Sequence, residues 1–245
     1  MAHHHCTIKP MEARISAAKV GKYATSESGD TLEFIERPNG GISLVLADGQ
    51  WSGKSAKAIS NVVTRKAVSL LADGVRDGAA ARAASDYLYT YRSGKVQATL
   101  NIISIDLQTK SLVITRNNPS PLILIRGDQL ISLNNPSHPV GSKLGIRPEI
   151  IEIPLEVGLT AVAFTDGLQN AGEKTGEKMD VVATIEMLRA NRPTDPDQWS
   201  KMLLARALEL DNGEPSDDIS ILVLAILQND DETTSRLTVS MPIGL

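Results

Sequence analysis

The sequence predicts an α+β domain of mainly antiparallel sheets with helices packed outside them. Three observations predict it. Short alternating or continuously apolar runs, the strand signal, fall into blocks separated by blocks of helical period. The blocks run strands, helices, strands, helices, strand, which is not the strand-helix alternation of a doubly wound parallel sheet. The 245 residues are 42% hydrophobic and 22% charged, enough for one domain whose core needs no staples, and no internal repeat or low-complexity linker divides them.

The elements follow in order. Residues 13–36 alternate and then turn apolar, as two strands do. Pro38, Asn39, Gly40 and Gly41 are turn residues, so 32–35 and 42–46 read as a hairpin. Residues 54–72 carry Ala58, Val62, Val63, Ala67, Leu70 and Leu71 at helical spacing, and Asp73-Gly74 ends that helix. The Ala-rich stretch 77–91 is a second helix. The period then shortens: 98–105, 112–115, 122–125, 129–133, 150–154 and 160–165 are strands. Helices return at 180–190 and 197–210, the latter capped by Asp195 or Asp197. Residues 219–227 form a closing strand. The domain is therefore expected over 13–228, between a tail of 1–12 and a polar tail of 229–245. His3, His4 and His5 read as a tag-derived run rather than a metal site.

Composition narrows the function. The net charge of −4, without a basic block, argues against nucleic-acid binding. The single cysteine, Cys6, excludes an internal disulfide and a multi-cysteine zinc site. No apolar run reaches the ~18 residues of a membrane span, and no signal-peptide core follows the N-terminus. A cytoplasmic protein without membrane contact is expected.

Residues 42–59, ISLVLADGQWSGKSAKAI, pose the central question. Gly53-Lys54-Ser55 suggests a phosphate-cradling P-loop. That motif needs four residues between its glycines, and Gly49 to Gly53 leaves three. Asp48 stands where the first glycine belongs and would repel a phosphate. Gly-Lys-Ser is better read as a helix start. The competing reading is an acidic turn. Asp48 ends an apolar strand, and Gly49 lets the backbone turn sharply enough to aim its carbonyl at a cation. The pattern recurs. Asp166-Gly167 ends a second apolar run, Asp217 and Asp218 begin a third, and Asp30 heads the strand that pairs with the Asp48 strand. Carboxylates gathered at strand ends stay ionised together only if cations compensate them. An all-oxygen donor set suits Mg²⁺ or Mn²⁺.

These residues resemble the PPM, or PP2C-like, metal-dependent serine/threonine phosphatases, and more closely their bacterial SpoIIE-like branch. The resemblance rests on SGD at 28–30, LVLADGQWSGKSA at 44–56, ATLNIISID at 98–106, RNNPSPLIL at 116–124, HPVGSKLGI at 138–146, FTDGLQNAGE at 164–173 and SDDISILVL at 216–224. The segments lie in the family's order and cover roughly residues 15–228. The resemblance implies a four-layer αββα sandwich. It implies that Asp48 bridges two Mn²⁺ or Mg²⁺ ions, with the Gly49 carbonyl on one of them, and that these ions activate the water that attacks phosphorus. Asp166 and Asp217 match ligands of the other ion, Asp30 an acidic position serving the second metal, and Asp218 a residue supporting the ligands. The chain departs from the branch at Trp51 and Asn118, where glycine is usual. Gln50 stands where larger eukaryotic relatives have a histidine proposed as general acid. No match is found for their phosphate-binding arginine. Gln50 and Trp51 are candidate substrate contacts; the alternative for Trp51 is packing on the helix that follows.

The resemblance also implies a substrate class: a phosphorylated regulatory protein of the STAS type, in a bacterial partner-switching or stress pathway. The chain reads as a bare catalytic domain similar to the stand-alone stressosome feedback phosphatase. The alternative is a pseudo-phosphatase that binds a partner with little catalysis, against which the four aspartates argue.

Overall fold

A computed structural model describes residues 10–190 and 195–229, together with 236 and 238–240. Its strands are β1 (Met11–Val20), β2 (Asp30–Glu36), β3 (Gly41–Gly49), β4 (Ala98–Asp106), β5 (Ser111–Asn117), β6 (Leu122–Arg126), β7 (Gln129–Leu133), β8 (Glu149–Pro154), β9 (Thr160–Phe164) and β10 (Ile219–Gln228). The helices are α1 (Gly53–Ala72), α2 (Asp77–Arg92), α3 (Asp166–Asn170), α4 (Val181–Ala190) and α5 (Pro196–Leu210). The strands form two antiparallel sheets, ordered β1-β10-β9-β6-β7 and β2-β3-β4-β5-β8.

The layering follows from strand periodicity. On β3, Leu44 and Leu46 face one side while Val45 and Ala47 face the other, and all four are buried. The leucines join Ile103, Ile114, Leu124, Ala163 and Leu222 between the two sheets. Val45 and Ala47 join Ile59, Val63, Ala67, Ala84 and Leu88 of α1 and α2. On the far side, Phe164, Ile221 and Val223 pack under Ile185, Trp199, Leu203 and Ala207 of α4 and α5. Both faces of each sheet are covered, which makes the central strands read as unbroken apolar runs. The expected four layers, helix-sheet-sheet-helix, are present.

Several boundaries shift. β1 begins at Met11, inside the stretch assigned to the N-terminal tail, and pairs with β10 as far as Gln228. Asn229 donates a backbone hydrogen bond to Pro10, so the pairing draws both domain ends slightly outward. Residues 1–9 and most of 230–245, including His3, His4 and His5, lie outside the described residues. The short α3 was not expected; five residues carry too little periodicity to show. Asp195 is the α5 cap, its side chain accepting from the Asp197 N–H, with Pro196 at the first helical position.

One buried cation has no periodic signature either. Arg116 on β5 is fully buried and pairs with Glu149 on β8. It also donates to the carbonyls of Asn118 at 3.0 Å and Ser120 at 2.9 Å, which pins the turn between β5 and β6. Removing one partner strands a buried charge. Arg116→Met should therefore lower stability by about 3–5 kcal/mol, read from the midpoint of chemical denaturation. An unchanged midpoint would show that the pair contributes nothing.

Candidate metal centre

The site grows from strand register. Asp30 at the head of β2 stands directly opposite Asp48 near the end of β3. Asp48 continues the Leu44-Leu46 alternation, so both carboxylates project into the space between the sheets, beyond the end of the apolar filling. Across that gap the other sheet presents Thr165, Asp166, Asp217 and Asp218, at the end of β9 and the start of β10. Thr165 Oγ1 donates to Asp30 Oδ2 at 3.0 Å and accepts the Ser220 N–H at 2.9 Å, which ties the two sheets through Asp30. Asp30 Oδ1 is buried without a hydrogen-bond partner.

Two glycines allow the close approaches that build the site. A Cβ on Gly49 would lie 2.0 Å from the Ala56 carbonyl oxygen, because α1 crosses directly over the turn. A Cβ on Gly167 would lie 2.1 Å from the Asp218 carbonyl oxygen, where the start of α3 meets the start of β10. Gly-Lys-Ser is indeed the start of α1, which begins at Gly53.

Asp218 supports the site from behind. Its carboxylate accepts the Lys22 N–H at 2.9 Å and the Gly29 N–H at 2.8 Å. That fastens the segment leading into Asp30. Asp217 Oδ1 accepts the Asp218 N–H at 2.9 Å. Sequence reasoning missed Thr165, Lys19 and Lys57. Both lysine ammonium groups donate to the Asp30 backbone carbonyl at 2.6 Å, capping the free edge of β2. Withdrawal from water, then the charge of Lys57, lowers the Lys19 pKa. A lysine one turn into α1 is the only sequence signal, and it is indistinguishable from a solvated one.

The carboxylates feel one another. Burial, then the charges of Asp30 and Asp166, pushes the Asp48 carboxyl up to about 9, with Asp217 adding to the effect. Burial raises Asp30 to about 6, opposed by the nearby Ser220 hydroxyl and by the Thr165 hydrogen bond. Asp166 is raised by desolvation and then by Asp217. So Asp30, Asp48, Asp166 and Asp217 come within electrostatic reach at one mouth of the sandwich. Among the described residues no three such groups close into a finished cage. A buried acceptor without a donor, four mutually repelling carboxylates and no soft ligand fit hard divalent cations.

The turn after Asp48 is rigid. Gln50 donates its N–H to the Gln97 carbonyl and accepts the Gln97 N–H on its side-chain oxygen, both at 3.0 Å. Trp51 is 62% exposed at φ +79°, so most of its ring faces solvent whatever it touches on α1. Left-handed backbone costs a non-glycine residue about 1–2 kcal/mol.

The family profile of stage II sporulation protein E (SpoIIE) matches residues 38–227. The chain belongs to the SpoIIE family. Stage II sporulation protein E of Bacillus subtilis (strain 168) is 23% identical over 221 residues, covering 90% of this chain but 26% of the relative. The chain thus spans about a quarter of that relative's length. The solved PP2C phosphatase domain of SpoIIE from Bacillus subtilis, with a fragment of its regulatory domain, superposes with a TM-score of 0.77 at 23% identity, over 91% of this chain and 65% of that one. The catalytic domain of the serine/threonine protein phosphatase PstP, in complex with two manganese ions, gives 0.67 at 16% identity, over 89% of this chain and all of that one. The fold is that of PP2C-type serine/threonine phosphatases. No described helix is long and apolar enough to cross a membrane.

Carboxyls with raised pKa values bind protons more tightly folded than unfolded. Their contribution to stability is full below the ordinary value of 3.8 and is lost as pH rises through about 6 for Asp30 and about 9 for Asp48. The melting temperature of the metal-free SpoIIE-family domain should therefore fall across this window, and Asp48→Asn should flatten the fall. Added Mn²⁺ should raise the melting temperature most at the alkaline end, where the ligands are already deprotonated. A profile indifferent to Asp48→Asn and to Mn²⁺ would refute the shared site.

Proposed function

We propose that this chain is a metal-dependent protein phosphatase that hydrolyses phosphoserine or phosphothreonine on a STAS-type regulatory protein, in a bacterial partner-switching or stress pathway. The observation that carries the reading is the meeting of Asp30, Asp48, Asp166 and Asp217 at one mouth of a PP2C-type sandwich. Two Mn²⁺ or Mg²⁺ ions, when bound, supply the positive charge that activates water and neutralises phosphoryl oxygens.

Each residue has its part. Asp48, in electrostatic contact with the other three, would be the ligand common to both ions, and the Gly49 carbonyl would contribute to one. Asp166 and Asp217 would hold one ion and Asp30 would serve the other. Thr165 orients the Asp30 carboxylate, and Asp218 holds the backbone before it. Gln50 cannot deliver a proton to a leaving group, since an amide has no acidic hydrogen near neutral pH. A solvent proton fits the exposed mouth. A cytoplasmic setting suits the substrate class.

Asp48→Ala should remove Mn²⁺-dependent hydrolysis of a phosphoserine peptide by on the order of a thousandfold or more, with circular dichroism unchanged. Full activity in that variant would sink the two-metal site. A folded parent protein with no metal-dependent hydrolysis of any phosphoester would favour the binding-module alternative.

A further inference from the structure

Trp51 is a physical misfit as a purely structural residue. A large apolar ring left 62% exposed gains little from burial. Its φ of +79° is one that glycine adopts freely and a bulky side chain does not. The turn constrains it on both sides: Gln50 is bonded twice to Gln97 before it, and α1 begins two residues after it. Strain kept at a rigid turn, three residues from the central carboxylate, is the signature of a positioned functional group. The side chain itself is rigid, with two torsions to fix, so it makes contacts at small entropic loss.

The geometry points to Trp51 as a specificity-determining contact for the polypeptide that flanks the phosphorylated residue. This rests on the phosphatase reading and extends it to substrate selection. The metal-binding aspartates engage the phosphoryl group alone, which is the same on every substrate. Trp51, exposed on the turn that leaves Asp48, would meet the chain beside the phosphoserine, which a small aryl phosphate does not have. Trp51 therefore separates proteins from generic phosphoesters.

The test compares the parent protein with Trp51→Gly, Trp51→Ala and Trp51→Phe, with Mn²⁺, on a phosphoserine peptide of about a dozen residues, long enough to span the mouth when extended, and on p-nitrophenyl phosphate. Loss of an anchoring aromatic is worth about tenfold or more. The ratio of kcat/KM for the peptide to that for the small ester should fall by that factor in Trp51→Gly and Trp51→Ala. The fall should lie in the peptide KM rather than kcat, and Trp51→Phe should restore most of it. Trp51→Gly, freed of the left-handed strain, should melt no lower than the parent. Trp199, the other tryptophan, is buried. Binding of the dephosphorylated peptide to the parent protein with Mg²⁺ should therefore shift the fluorescence of the exposed indole, and Trp51→Phe should abolish that shift. An unchanged ratio in the glycine and alanine variants overturns the proposal. So does an equal loss on both substrates with a lowered melting temperature, which would make Trp51 part of the metal turn. If the parent hydrolyses neither substrate, the phosphatase reading itself fails, a result distinct from either.

Discussion

Asp30 and Asp48 face each other across β2 and β3, and this pairing is held by the same register that seats Leu46 opposite Leu32 in the core. A shift of one residue would turn the leucines out and the carboxylates away. The hydrophobic filling between the sheets therefore fixes two like charges side by side in a poorly solvated gap. Nothing local favours that arrangement. It persists because the apolar contacts on either side outweigh the repulsion, and because the surroundings soften it. Thr165 donates to one Asp30 oxygen, and two lysines place positive charge on its backbone carbonyl. The unpartnered Asp30 Oδ1 marks what the protein alone leaves unfinished.

The second sheet is bound to the first by the same chemistry. Asp218, 188 positions beyond Asp30 in the chain, accepts the N–H of the residue just before it. Thr165 bridges Asp30 to Ser220. Gly49 admits α1 against the metal turn, and Gly167 admits the Asp218 backbone against α3. A side chain at either glycine would push apart surfaces that the carboxylates need close. The site is thus a property of two sheets meeting at one end, and no single segment holds enough of it to act alone.

Much of this was legible because strand ends are legible. Four apolar runs carry an aspartate at one end, and alternation along β3 predicts which face Asp48 takes. What alternation does not carry is partnership. Nothing in the β1 stretch announces that it pairs with β10 at the far end of the chain. Arg116 sits in a run that reads as an ordinary strand end, and its burial depends on Glu149, supplied by another strand. Asp218 reads as a neighbour of Asp217, yet its two hydrogen bonds go to a loop near the N-terminus. Trp51 is legible as a departure from glycine, but its exposure and backbone geometry depend on how Gln97 grips the turn. Propensity reports local preference, while these contacts are long-range.

The electrostatics also order events at the mouth. A phosphorylated residue brings negative charge toward Asp166 and Asp217, which repel each other, and toward Asp48, which without a cation holds its proton instead of binding one. Without compensating cations the approach is unfavourable at neutral pH, whatever the flanking chain contributes. Under the proposed reading, cation binding precedes productive phosphoryl binding, and contacts outside the carboxylate ring act on a substrate whose central group is first tolerated and then held. Recognition by an exposed turn and chemistry at buried strand ends are then separable. The turn can change the substrate without disturbing the register that creates the site, because Gln50 and Gln97, not the side chain at position 51, fix the turn to β4.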